Sequence, residues 1–185
     1  MRKITLTFGL TAGAFLSVFL TVTLAMWNSG TLGFENGETI GYTGMLIAMS
    51  MVFFGIKSFR DNHMDGVIDF RKGFKVGILI ALIASSMYVA TWEVFAWVQP
   101  EEVTVFMNNY TEYMLDKAKE AGATQADLDQ QRSDMAEFQE MYKNPLVRVG
   151  VTFVEVLPVG LLVTLISAAI LRRKETLPAQ PAAVG

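Results

Sequence analysis

The run from Val76 to Val98 is 23 residues long, apolar almost throughout, and carries a single charge, Glu93. About 20 such residues cross the hydrocarbon core of a bilayer, so the run reads as a transmembrane helix. A carboxylate inside such a helix is expensive to place there and is therefore a functional hypothesis from the outset. Three further runs have the same character: Ile4 to Trp27 behind Met1-Arg2-Lys3, about Thr39 to Ile56, and Val149 to Leu171. With 52% hydrophobic residues and a mean hydropathy of +0.37, the composition belongs to a membrane protein rather than to a soluble domain with one core. The first run is longer than a signal core and no clean small-x-small cleavage site follows it, so it is read as a retained span.

Composition excludes several chemistries. There is no cysteine, which removes disulfides, thiolate metal sites and cysteine nucleophiles. One histidine, His63, leaves no multi-imidazole metal site. A net charge of −3 with no basic arm gives no reason to expect nucleic acid, and no cofactor is expected. Met45, Met49 and Met51 in the second run read as flexible packing filler. Small residues recur at helical spacing in the first and third runs, as Gly9/Gly13 and as Gly73, Gly77, Ala81, Ala84 and Ser85, and mark faces for close helix packing.

Between the third and fourth runs lies the one long polar segment, Glu101 to Asn144. Phe106, Tyr110 and Tyr113 recur at three- and four-residue spacing as an amphipathic helix that Gly122 ends. Thr124 and Asp127 form a capping box for a second helix, which carries Phe138 and stops before Pro145. Phe106, Tyr110, Tyr113 and Phe138 are thus a candidate partner surface, unless the hairpin folds down on the membrane or on itself. The expected fold is all-α: an integral membrane four-helix bundle, residues 1–172, with an amphipathic helical hairpin at 101–144 between spans 3 and 4. Residues 173–185 are expected to be a disordered tail.

Charge sets the orientation. With both termini inside, the inner face holds ten Lys and Arg residues, including Lys57, Arg60, Arg71, Lys72 and Lys75 in one connection read as a solvated loop. The outer face holds five, four of them in the long segment, where the bias counts less, and the short turn 28–38 holds none. The positive-inside rule then places both ends in the cytoplasm and the hairpin outside. The hairpin carries ten acids against four bases between Glu101 and Lys143.

The stretches FVEVLPVGLLVTLISAAIL, GIKSFRD and FRKGFKVGILIALIASSMYV, in their order and spacing, resemble the domain of unknown function 4199 family. The resemblance covers about Ile4 to Arg172. It implies a four-span fold in a bacterial inner membrane and no particular activity.

Glu93 and Glu155 are the two acids placed deep in the spans, both roughly 8–9 Å below their outer helix ends at ~1.5 Å per residue. If they face each other, repulsion and desolvation favour a shared proton. Pro158 is expected to kink or open the helix beside Glu155. Glu93, Glu155 and Pro158 are therefore a candidate intramembrane proton or ion site, against the plainer reading of polar contacts holding two helices together. Two functions compete: an interaction or scaffold protein using the hairpin, and a small oligomeric proton- or cation-linked transporter using Glu93 and Glu155. An enzyme is not expected, because no nucleophile–base pair can be named. The expected partners are the lipid bilayer and either further copies of the chain or another membrane protein.

Overall fold

The computed structural model describes residues 1–172; the tail lies outside the described residues. Six helices follow in order: α1 (Arg2–Asn28), α2 (Phe34–His63), α3 (Phe70–Val98), α4 (Pro100–Glu120), α5 (Gln125–Tyr142) and α6 (Pro145–Leu171). There is no strand among the described residues. Helices α1, α2, α3 and α6 are long and apolar enough to cross a membrane, and they form the four-helix membrane bundle. Side chains such as Val18, Leu46, Phe54 and Ile170 are left exposed on it, as a lipid-facing surface requires.

Helix α3 is the central element, packed most extensively against α1 and α6, while α2 touches α1, α6 and α3. Its small residues explain why. A Cβ on Gly9 would lie 2.8 Å from Cβ of Ile83, and Gly13 likewise faces Met87. One turn further on, Thr91 donates to Ser17 Oγ at 2.8 Å. Three contacts with one constant offset make α1 and α3 parallel. The seam with α6 runs the other way: Gly73 faces Ala168, Gly77 faces Thr164, and a Cβ on Gly160 would lie 2.8 Å from Ala81. With little hydrophobic force between helices in lipid, backbone approach of this kind supplies the dispersion contact that holds them.

The connection expected as a solvated loop at 57–75 is mostly helical. Helix α2 continues to His63, with Arg60 and His63 in its last turn, where positive charge suits the helix dipole. Asp65 (φ 49°) and Gly66 (φ 79°) make the turn, and Ile68 is buried. Asp69 then caps α3 by accepting from the Lys72 amide at 2.9 Å. Helix α6 is continuous through Pro158, which is exposed and turned away from the core. The expected opening of the helix there does not occur.

The capping box of α5 is present: the Thr124 amide donates to Asp127 and the Asp127 amide donates to Thr124 Oγ1. Gly122 supplies the left-handed residue before it (φ 89°). Helices α4 and α5 pair through Gln139, which donates to Thr111 Oγ1 at 3.1 Å, and through Arg132 and Glu112. The pair lies over one end of the bundle, where the indole N–H of Trp92 donates to the Tyr142 hydroxyl at 2.9 Å.

Candidate functional site

The hairpin roofs a cavity of about 640 Å³ to which every helix contributes. Phe19, Thr23 and Trp27 come from the end of α1, and Phe34, Glu38, Tyr42 and Met45 from the start of α2. Tyr88 projects from α3, and Val151 and Glu155 from α6. Phe106, Met107 and Tyr110 of α4, with Met135, Phe138 and Tyr142 of α5, close it from above.

The aromatic stripe of the hairpin is spent on this roof. Phe106 lies 4.8 Å from Trp27 and 5.4 Å from Phe34, centroid to centroid. Tyr110 and Tyr113 stand 5.8 and 5.7 Å from the same Phe34 ring. Phe138 packs on Tyr142 at 5.6 Å. All four candidate partner-surface residues therefore make ring contacts within the chain. Gly37 gives Trp27 its place, since a Cβ there would lie 2.8 Å from the indole ring. The indole nitrogen of Trp27 is buried in the cavity wall and has no hydrogen-bond partner among the described residues.

The two deep acids have different surroundings. Glu93 is held by Arg148 in a two-point ion pair, Nε to Oε1 and Nη2 to Oε2, both at 2.7 Å. The side chains of Arg148 and Glu93 are only 13% and 23% exposed. This pair continues the four-residue register of the α3–α6 seam, so the packing that brings Gly73 to Ala168 also brings Glu93 to Arg148. Glu155 has no such base. It stands ten residues inside α6, about 15 Å from the start of that helix. Protein surrounds it on most sides, yet its side chain remains exposed through the cavity it lines. Tyr88 and Tyr142 line the same cavity. Among the described residues Glu155 makes no hydrogen bond or ion pair. Seven residues of helix separate Arg148 from Glu155, about 10 Å along the axis, so the two acids are not brought face to face. Pro158 does not line the cavity.

In the hairpin, burial pushes the Tyr142 hydroxyl above its ordinary pKa, and burial with the nearby Glu38 charge does the same for Tyr110. The hydrogen bond to Tyr113 raises Lys117, whose Nζ stands 5.4 Å over that ring.

Sequence reasoning found Glu155 and the hairpin rings but not their shared space. It passes over Trp27, Phe34, Glu38 and Tyr42. Phe34 was the available signal: it is the one aromatic residue in an otherwise polar, glycine-rich turn.

No curated protein and no solved structure matches the chain. A family model described as a protein of unknown function, DUF4199, matches residues 7–173. Since that match spans nearly all of the described residues, the chain, with its four apolar helices, belongs to the DUF4199 family.

Proposed function

We propose that the protein is a small-molecule-binding membrane protein that works through the roofed cavity, with Glu155 as its charge-bearing group, in the manner of a small cation-linked transporter. The observation that carries this reading is an acid that makes no hydrogen bond or ion pair among the described residues and lines a half-open space to which all six helices contribute. A concave, largely apolar space with a few polar groups is the common form of a ligand site. Glu93, neutralised by Arg148, serves in this reading as a structural clamp beside the site. The scaffold reading is less well supported, because the aromatic stripe it would use packs on Trp27 and Phe34. It would have to use the acidic outer face of the hairpin instead.

The distribution of Lys and Arg supports both termini in the cytoplasm and the cavity on the outer side; a bacterial inner membrane rests on the family resemblance alone. A transport path through so short a bundle calls for a homo-oligomer.

Dicyclohexylcarbodiimide, which modifies carboxyls in apolar places, tests the assignment in native membranes. Glu155 should be modified, and Glu93, with both oxygens held by Arg148, should not. Gly41 lines the cavity and a Cβ there meets nothing within 4 Å, so Gly41→Phe can fill the space without a clash at its base. That variant should block modification of Glu155. Undiminished labelling in Gly41→Phe would mean that the reagent arrives from lipid, and the cavity reading would fall. It would fall equally if Glu155 stayed unlabelled at every pH at which the outer acids react.

A further inference from the structure

We propose that the ligand of the roofed cavity is an organic cation, an ammonium or a similarly delocalised positive group on an apolar body. This rests on the reading of the cavity as a binding site and adds the chemical class of what enters it.

The charge of the wall points one way. Two carboxylates, Glu38 and Glu155, line the cavity, and no Lys, Arg or His does. Arg148, the nearest base on α6, has two of its nitrogens committed to Glu93. Lys117 is fully exposed and rests on Tyr113. Both carboxylates are exposed and neither has a counter-charge among the lining residues, so a bound cation supplies the charge that the wall lacks.

The chemistry of the wall selects the kind of cation. Trp27, Phe34, Phe106 and Tyr110 form one contiguous group of rings, neighbours lying 4.8 to 6.5 Å apart. Ring faces attract weakly hydrated cations such as quaternary ammonium groups. A bare inorganic cation needs several oxygen ligands to replace its water, whereas much of this wall is aromatic carbon and the thioethers of Met45, Met107 and Met135. The volume, about 640 Å³, also suits a molecule rather than an ion.

Equilibrium dialysis of the full-length protein in lipid nanodiscs, with empty nanodiscs as the blank, tests the proposal. The probes are benzyltrimethylammonium and its neutral carbon isostere, neopentylbenzene. The cation should bind, and the isostere should bind on the order of tenfold more weakly or worse, the loss expected when a charge-assisted contact is removed. Glu155→Gln should weaken the cation by a similar factor and leave the isostere unchanged, while Gly41→Phe should abolish both. Equal binding of the two probes, or no effect of Glu155→Gln on the cation, would overturn the organic-cation assignment and leave the cavity as a binding site. Binding of both probes that Gly41→Phe does not change would overturn the cavity reading itself. If neither probe bound, both would be overturned.

Discussion

Glu93 and Arg148 illustrate how a partner decides what an ionisable residue can do. Two hydrogen bonds at 2.7 Å and little exposure make this pair a clamp at the end of the α3–α6 seam. Removing one member strands the other, so Glu93→Gln or Arg148→Gln alone should lower stability by about 2–4 kcal/mol. The double variant should recover part of that loss, and thermal unfolding in detergent through a double-mutant cycle would measure it. Additive losses would show that the pair does not act as a unit. Tyr110 and Tyr142 give a second residue-scale prediction. Both hydroxyls have folded pKa values raised above the ordinary 10.0, chiefly by burial. The folded protein therefore holds these protons more tightly than the unfolded chain. That contribution is fully present below about pH 10 and is lost as pH rises through the raised values. Ultraviolet difference spectra should show late-titrating tyrosinate that Tyr110→Phe and Tyr142→Phe each reduce. The identities of both deep acids were legible in the sequence. Their pairing was not, because seven residues of helix separate Arg148 from Glu155 and only the register across to α3 reveals that it belongs to Glu93.

At the scale of helices, spacing was informative wherever one helix supplies the whole signal. Gly9/Gly13 and the series from Gly73 to Ser85 marked packing faces, and Thr124 with Asp127 marked the start of α5. Two glycines of α6 provide a direct test of the seam. Gly160 sits against Ala81, whereas a Cβ on Gly150 meets nothing within 4 Å. Gly150→Ala should leave the melting temperature unchanged or raise it, as better helix propensity of about 1 kcal/mol would do. Gly160→Ala should lower it by forcing α3 and α6 apart, and equal effects would refute the seam. The hairpin offers a separate test. Thr124→Ala removes the side-chain hydrogen bond that holds the Asp127 carboxyl below the usual carboxylate range. A depressed folded pKa stabilises above the unfolded value and is lost as pH falls through the folded one. The variant should therefore speed proteolysis within α5 at neutral pH, and the difference from the parent should shrink in acid. The direction in which the hairpin's aromatic stripe faces was beyond sequence periodicity. An amphipathic face looks the same whether its partner is another protein or, as here, Trp27 and Phe34 of the same chain.

For the whole molecule, four runs of apolar residues were enough to read the bundle, while the cavity needed all six helices in place before it existed. An even number of spans puts the start of α1 and the end of α6 on one side. The absence of cysteine allows a clean topology map. Single cysteines at Thr31, in the α1–α2 turn, and at Asn62, near the α2–α3 turn, should react with an impermeant maleimide from opposite faces. Thr31 should be the one labelled in intact cells. Labelling of both from one side would refute the bundle topology.

The Glu93–Arg148 clamp also has a history within each round of synthesis. Its two halves are 55 residues apart in sequence. At about 5–20 residues per second, translation leaves roughly 3–11 s in which Glu93 has been made and its counter-ion has not. During that interval α3 must wait at or in the bilayer with a bare acid and an uncovered glycine face. Chains arrested before Arg148 should consequently be extracted from membranes more readily, and degraded sooner, than chains arrested after Leu171. Equal lifetimes would mean that the waiting helix is sheltered by something other than its own final partner.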